Sequence, residues 1–367
     1  MIDYLFIFLV LLLFIQVFYF FYFFRRLSII KTSQKNIFFP EVSIIICAKN
    51  EAKNLKANLP IILNQNYNTY EVIVVDDQSQ DETKYILKDL AEKHPNLKVV
   101  NINQNINYKK GKKFALTLGI KTAKFEHLLL TDADCKPISK NWISYMIQNL
   151  ENKEIILGYS NYEKKPGLLN KLIRFDTFSV AMQYLSFSLA NKTYMGVGRN
   201  LSYKKSLFFR NKGFASHIHL VSGDDDLFIQ EVATKDNVGI SIAGDSHTTS
   251  EVIKDWKSWI YQKRRHITTS KLYKRSFKFL LSLWPLSNVL FLKTIVVLLI
   301  LNKPSILIIL AILFIRLVIS YSIFYPIMQR LKVKDLFWLH PVYEILYLFI
   351  QGFFVLLNGL NKPKEWA

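Results

Sequence analysis

The sequence predicts a Rossmann-like α/β domain carried between membrane-spanning α-helices. Apolar runs alternate with amphipathic segments between residues 40 and 131, and the last run stops at two acids one residue apart, Asp132 and Asp134. The membrane is predicted by composition: the chain is 51% hydrophobic yet carries a formal charge of +20, with apolar residues crowded at both ends and charge filling residues 25–275.

From the N-terminus, residues 4–24 hold no charge, enough for a helix to cross a hydrocarbon core of about 30 Å at about 1.5 Å per residue. The stretch reads as a span rather than a secretory signal, because it lacks a basic n-region, exceeds an h-region in length and is followed by no small-residue cleavage site. Arg25, Arg26, Lys31 and Lys35 follow it and only Asp3 precedes it, so the positive-inside bias predicts a cytosolic location for the segment beyond. Residues 42–47 are apolar enough for a strand buried on both faces. A helix over 48–64, a strand over 71–75 ending in Asp76-Asp77, a helix over 81–93, a strand over 97–102, a helix over 111–123 and a strand over 126–131 complete a βαβαβαβ series. Such a series implies right-handed crossovers and an open twisted sheet, with ligands outside the carboxyl ends of the strands. Asp76, Asp77, Asp132 and Asp134 all fall there.

Residues 150–220 carry fewer signals. Beyond residue 278 the apolar character returns. Residues 279–292 contain Pro285 and read as a broken or interfacial helix that 294–301 extends, with Lys293 between; 305–328, with Arg316, and 336–360, with Glu344, are cleaner spans. An intramembrane charge costs about 2.5–3.5 kcal/mol at a helix centre, so Lys293, Arg316 and Glu344 are expected to face one another, a lipid phosphate or a polar cavity. The basic loop with Arg330, Lys332 and Lys334 is expected in the cytosol, and the loop around Lys303 and the C-terminus on the other side.

Two carboxylates spaced like Asp132 and Asp134 can hold a hard divalent cation from one side and leave its other positions to phosphate oxygens. Lys112 or Lys113, beside Gly111 at a helix start, could meet diphosphate charge. Nucleic-acid binding is not supported: the basic excess comes without finger, helix-turn-helix or RNP-like patterns, and anionic headgroups or phosphorylated substrates account for it. Cys47 and Cys135 have no metal-ligand spacing and suit a reducing compartment.

In order, VSIIICAKNEAKNL, VIVVDDQSQDET, GKKFAL, LLLTDADCKP, GVGRNLSY, SGDDDLF and WIYQKRRH resemble the blocks of a membrane-bound family 2 glycosyltransferase of GT-A fold, related to the cellulose, chitin and hyaluronan synthases. The resemblance covers roughly residues 40 to 270. It implies a nucleotide-sugar donor, a divalent cation (Mg2+ or Mn2+) and inversion at the anomeric carbon. By matching positions Glu51 would line the donor pocket, Asp77 contact the nucleotide, Asp132 the nucleotide or ribose, and Asp134 the metal. The family's general base falls in Ser222-Gly223-Asp224-Asp225-Asp226-Leu227; counting back from Leu227 favours Asp224, with Asp225 the alternative. A base is needed because the acceptor hydroxyl must lose its proton as it attacks. Gln262, Arg264 and Arg265 belong to the block whose arginine lies near the donor diphosphate. His266 replaces that block's tryptophan, which argues against a long processive product channel. Trp256 and Trp259 stand at helical spacing, with packing the expected role, and His247 is a candidate third metal ligand.

The expected organisation is an N-terminal transmembrane helix (1–24), a basic linker (25–39), a cytosolic GT-A domain (40–270) and a C-terminal membrane region of about three helices (271–367). The expected protein is an integral enzyme of the plasma or inner membrane that moves a sugar from a nucleotide sugar, by resemblance a UDP-sugar, to a lipid-linked or glycan acceptor. A nucleotidyl- or sugar-phosphate transferase using the same carboxylates, and a non-catalytic membrane component, are the alternatives.

Overall fold

The computed structural model describes residues 2–31, 39–102, 112–220, 222–301 and 305–360. Lys35, Gly111 and Lys303 lie outside them. The described residues form ten strands: β1 Val42–Ala48, β2 Tyr70–Asp76, β3 Leu97–Asn101, β4 His127–Leu130, β5 Cys135–Pro137, β6 Ile155–Leu157, β7 Ser160–Tyr162, β8 Leu201–Lys204, β9 Val238–Ile240 and β10 Thr248–Ser250. The helices are α1 Ile2–Phe18, continued by a π-helical turn Tyr19–Phe24 and α2 Arg25–Ile29, then α3 Ala52–Leu63, α4 Thr83–Lys93, α5 Lys112–Thr122, α6 Trp142–Ile147, α7 Leu168–Leu189, α8 Lys205–Arg210, α9 Asp226–Val232, α10 Trp256–Ser270, α11 Arg275–Ile300, α12 Ile306–Arg330 and α13 His340–Leu360.

The main sheet has the order β3-β2-β1-β4-β8-β6-β9. Its first four strands are parallel, as the βαβ series requires; β8 then runs antiparallel to both β4 and β6, which makes the sheet mixed. All seven residues of β1 are buried because strands and helices cover it on every side. The period-2 alternation of a strand splits the core in two. Ile44, Ile46, Val72, Val74 and Leu129 face Leu55, Leu59 and Trp142 of α3 and α6. Ile45, Cys47, Ile73, Val75 and Leu130 face Leu116 and Ile120 of α5, in a cluster that runs on through α7 to Phe24 and Phe324 of the membrane helices. The sheet domain and the long apolar helices thus share one apolar core. A smaller sheet, β5-β10-β7, lies beside the Asp132–Asp134 turn.

Among the described residues four helices are long and apolar enough to cross a membrane: Asp3–Ile29, Arg275–Ile300, Ile306–Arg330 and His340–Gly359. The second is one continuous helix, not the broken segment expected from Pro285. A proline removes one ladder donor, yet the helix continues through it; on the same stretch the Tyr19 hydroxyl donates to Leu280 O at 2.6 Å and Asn288 Nδ2 to Trp284 O at 2.8 Å. Arg316 donates to Gln16 Oε1 at 2.5 Å, Asn288 Oδ1 at 2.6 Å and Glu344 Oε1 at 2.9 Å, joining one residue from each of the four spans. Lys293 does not join this cluster and is exposed. Five residues past Asn288 it is turned about 140° around the helix.

Candidate active site

The site forms where the parallel strands end. After β1 and β2 the backbone turns through Asn50 and Gln78, both at φ 57°, a left-handed conformation uncommon outside glycine. The two turns are laced together: Asn50 N–H donates to Ser79 Oγ at 2.8 Å, Gln80 N–H to Asn50 Oδ1 at 2.7 Å, and Glu51 N–H to Thr83 Oγ1 at 3.0 Å. Asp77 follows, buried, with its N–H on Ala48 O at 2.8 Å. Glu51 accepts from Asn54 Nδ2 at 2.6 Å. Burial lifts its carboxyl to about 6 against that bond, and Asp134 and Asp132 add to the lift, so the three acids share one electrostatic neighbourhood.

Asp132 and Asp134 sit on the turn after β4, which is closed by Cys135 N–H on Asp132 O at 3.0 Å. Burial and the charge of Asp132 both raise the pKa of Asp134, with Arg199 working the other way. Arg199 had entered the sequence reading only as part of a glycine-bearing block; its presence beside Gly198 was the available signal. Its guanidinium lies 4.8 Å from the Tyr162 ring centroid and donates to Ser250 Oγ at 3.4 Å. Burial opposes its charge, yet Tyr162, Cys135, Asp134 and Asp132 hold its pKa above the usual value.

The two adjacent lysines divide. Lys112 Nζ lies 2.6 Å from Asp132 Oδ1 and 3.3 Å from Asp224 Oδ2, and against its burial these carboxylates hold its pKa well above the ordinary value. Lys113 is buried instead and donates to His217 O at 2.6 Å, under the segment leading into the acidic run; burial lowers its pKa to about 8, against the pull of Asp224 and its neighbours.

Gly223, at φ +106°, turns the chain into that run. Burial opposes ionisation of Asp224, but Lys112 outweighs it and the pKa falls below the usual carboxylate value. Asp225 caps α9, its Oδ1 accepting from Asp226 N–H at 2.7 Å and its Oδ2 from Gly198 N–H at 2.8 Å. Burial, then Asp224 and Asp226, push its pKa up to about 7. Both Asp224 and Asp225 line a small cavity with Lys112, Asp132, Cys47 and Gly198. Asp226 points away, buried, and accepts from Thr269 and Tyr273.

Of the later block, Gln262 reaches the site through Tyr162, donating to its hydroxyl at 3.3 Å. Arg264 does not: its Nε donates to Asn358 Oδ1 at 3.0 Å and its guanidinium to Leu357 O at 3.2 Å, on the last membrane helix. Successive helical residues diverge by about 100°, so Arg264 and Arg265 face different surroundings. Arg265 keeps a buried Nε without a hydrogen-bond partner. The next residue, His266, is exposed. Trp259 is buried against Phe354, as the packing role anticipates, while Trp256 is exposed. His247 does not take the metal-ligand place: it is buried edge-on to Tyr159 with Nε2 at 3.3 Å from Ile242 O, and burial brings its pKa down to about 4. Among the described residues no three His, Cys, Asp or Glu side chains gather into a metal-holding group.

This sheet, with acids at its carboxyl edge and a membrane base below, is the GT-A-like fold of glycosyltransferases. It superposes on the mannosyltransferase PcManGT from Pyrobaculum calidifontis with a TM-score of 0.61 at 18% identity, over 99% of this chain and 100% of that one. Residues 43–210 match the model of Glycosyl transferase family 2, and the chain therefore carries a family 2 glycosyltransferase domain. It is 28% identical over 193 residues to glycosyltransferase AglE of Haloferax volcanii, covering 51% of this chain and 59% of that protein. It is 26% identical over 160 residues to a poly-beta-1,6-N-acetyl-D-glucosamine synthase of Staphylococcus epidermidis, covering 43% and 37%. It is 32% identical over 121 residues to the beta-1,3-glucosyltransferase WfaP of Escherichia coli, covering 33% and 45%. The chain thus spans less than two thirds of the length of these relatives.

Proposed function

We propose that the protein is a metal-dependent, inverting glycosyltransferase of the membrane, taking a nucleotide sugar on the cytosolic side and passing its sugar to a lipid-linked or glycan acceptor. The observation that carries this reading is the meeting of Asp132, Lys112, Asp224 and Asp225 in one cavity. A donor-side acid, a cation and two candidate bases then lie within one substrate's reach. Burial and repulsion from Asp132 raise the pKa of Asp134 despite the opposing charges of Arg199 and Lys112. All-oxygen donors of that kind fit Mg2+ or Mn2+, which Asp134 with Asp132 would hold. A divalent cation there offsets the charge of the departing diphosphate.

Arg265, with its unpartnered buried Nε, would bind a diphosphate oxygen, and Asp77 and Glu51 would line the nucleotide side. As the acceptor oxygen bonds to the anomeric carbon, the bond from that carbon to the diphosphate breaks and the hydroxyl proton passes to a carboxylate. Our reading gives this role to Asp225, where counting back from Leu227 favoured Asp224. Asp224 is engaged by Lys112 and is a weak base, whereas a pKa of about 7 suits general-base work at neutral pH. Relatives support the substrate classes: WfaP is named for UDP-Glc and a diphosphoundecaprenol-linked acceptor, and PcManGT is in complex with GDP-Man and Mn2+.

The test is to incubate the full chain in detergent with a panel of UDP- and GDP-sugars, membrane lipid extract and Mn2+ or Mg2+. Free nucleoside diphosphate and a labelled lipid or glycan are expected, lost with a chelator and strongly weakened in Asp134→Asn. Release of sugar phosphate or nucleoside monophosphate, or of nothing from any donor, would overturn the reading.

A further inference from the structure

The three consecutive acids of the base segment point to three parts of the protein. Asp224 meets Lys112 on the donor side and Asp225 meets Gly198 N–H across the cavity. Asp226 turns to the end of α10 and the link after it, 6% exposed. Its Oδ2 accepts from Thr269 Oγ1 at 2.6 Å and from the Tyr273 hydroxyl at 2.8 Å. One helical turn on, Gln230 repeats the attachment: its Oε1 accepts from Lys274 N–H at 2.7 Å and its O from Lys274 Nζ at 3.0 Å.

Thr269 closes α10, while Tyr273 and Lys274 form the link that opens directly into the span α11. The link and the first turns of α11 bare Leu272 (52% exposed) and Phe279 (63%) among Lys271, Lys274, Arg275 and Lys278. Apolar side chains bared among lysines and arginines suit the headgroup level. α10 is in turn fixed to the bundle by Arg264 on Asn358 and to α7 by Lys263 on Asp176 at 2.6 Å. The base segment is therefore referenced to the bilayer through hydrogen bonds that touch no donor-site residue.

We propose that Asp226 is a positioning residue which, through Thr269 and Tyr273, holds Asp225 at a fixed height above the membrane surface, and that the acceptor is accordingly one whose reacting hydroxyl is carried on a membrane lipid. A hydroxyl tethered to the bilayer arrives at a set height, so a base fixed in the same frame meets it without search, whereas water reaches the donor from any direction. The inference rests on the glycosyltransferase reading above.

The experiment uses the full chain in nanodiscs made from a lipid extract of the expressing cells, with radiolabelled nucleotide sugar, and reads transfer to lipid and release of free sugar side by side. Tyr273→Phe combined with Thr269→Val removes both hydroxyls at nearly constant volume and leaves Asp226 in place; Asp226→Asn is the second variant. A displacement near 1 Å can cost on the order of a hundredfold in rate, so transfer to lipid is expected to fall at least tenfold in both. Donor KM and hydrolysis to free sugar should stay within about twofold of the unsubstituted protein. An unchanged ratio of transfer to hydrolysis in the double variant overturns the inference, whether total activity is kept or falls in proportion. Failure of the unsubstituted protein to release any nucleoside diphosphate would instead overturn the reading on which it rests.

Discussion

Replacing Asp225 by asparagine separates base chemistry from the rest of the site. The amide offers one acceptor oxygen where the carboxylate offers two, to Asp226 N–H and Gly198 N–H. The expected stability loss is about 0.5–1.5 kcal/mol, the net contribution of one hydrogen bond, which leaves the protein folded. Transfer should fall by about 10²–10⁴, or roughly 2.7–5.5 kcal/mol of barrier at about 1.36 kcal/mol per tenfold. In the unsubstituted protein Asp225 accepts a proton only when ionised. With its pKa about 7, roughly a tenth of it is competent at pH 6 and nine-tenths at pH 8, so transfer should climb about tenfold across that window and then level. Asp224 contributes repulsion to that raised pKa, so Asp224→Asn should move the acid limb to lower pH. The assay is the initial transfer rate at saturating donor from pH 5 to 9, with melting curves as a control on folding. Near-normal transfer by Asp225→Asn, or an acid limb unmoved in Asp224→Asn, would refute the assignment.

Two further outcomes concern the membrane. Arg316→Met strips Glu344 of its ion partner in a pair where both side chains are nearly buried. Breaking such a pair costs about 3–5 kcal/mol, and the loss should appear as a lower melting temperature in detergent, much of it restored by adding Glu344→Gln; equal melting of single and double variants would show that the pair contributes nothing. Protease applied outside intact cells should leave residues 40–270 uncut, as the basic flank Arg25, Arg26 and Lys31 demands, and digestion of that domain would reverse the orientation.

The parallel half of the sheet was legible because strands buried on both faces read as unbroken apolar runs: β1 and β2 lie within a residue or two of their expected limits. The rest of the sheet was not, since β6, β8 and β9 are three or four residues long and are fixed by pairing between distant segments. Asp132 and Asp134 were readable from their place at a strand end, and the two members of the acidic run singled out, Asp224 and Asp225, both line the cavity. Which of Lys112 and Lys113 faced it was not readable, because a single step of about 100° around a helix start decides it. The same limit explains Arg264, whose neighbour Arg265 has the unpartnered nitrogen. Pro285 misled for another reason: its helix is packed among the other spans, as the Tyr19 hydroxyl on Leu280 O shows, and local sequence does not announce such packing.

The Arg316 cluster bears on how the chain is made. Gln16 meets Ser287 O and Arg316 across separations of 271 and 300 residues. At about 5–20 residues per second of synthesis, the first span waits on the order of tens of seconds in the bilayer, its glutamine unmatched, while the whole catalytic domain emerges and folds. Only when the third span arrives can the arginine find its acceptors, and the fourth must follow to supply the carboxylate. The catalytic domain is thus an insertion between the first and second helices of a bundle that closes last. A truncated chain ending before Arg316 would leave the first span without this partner, giving membrane quality control a ready means of telling finished molecules from unfinished ones.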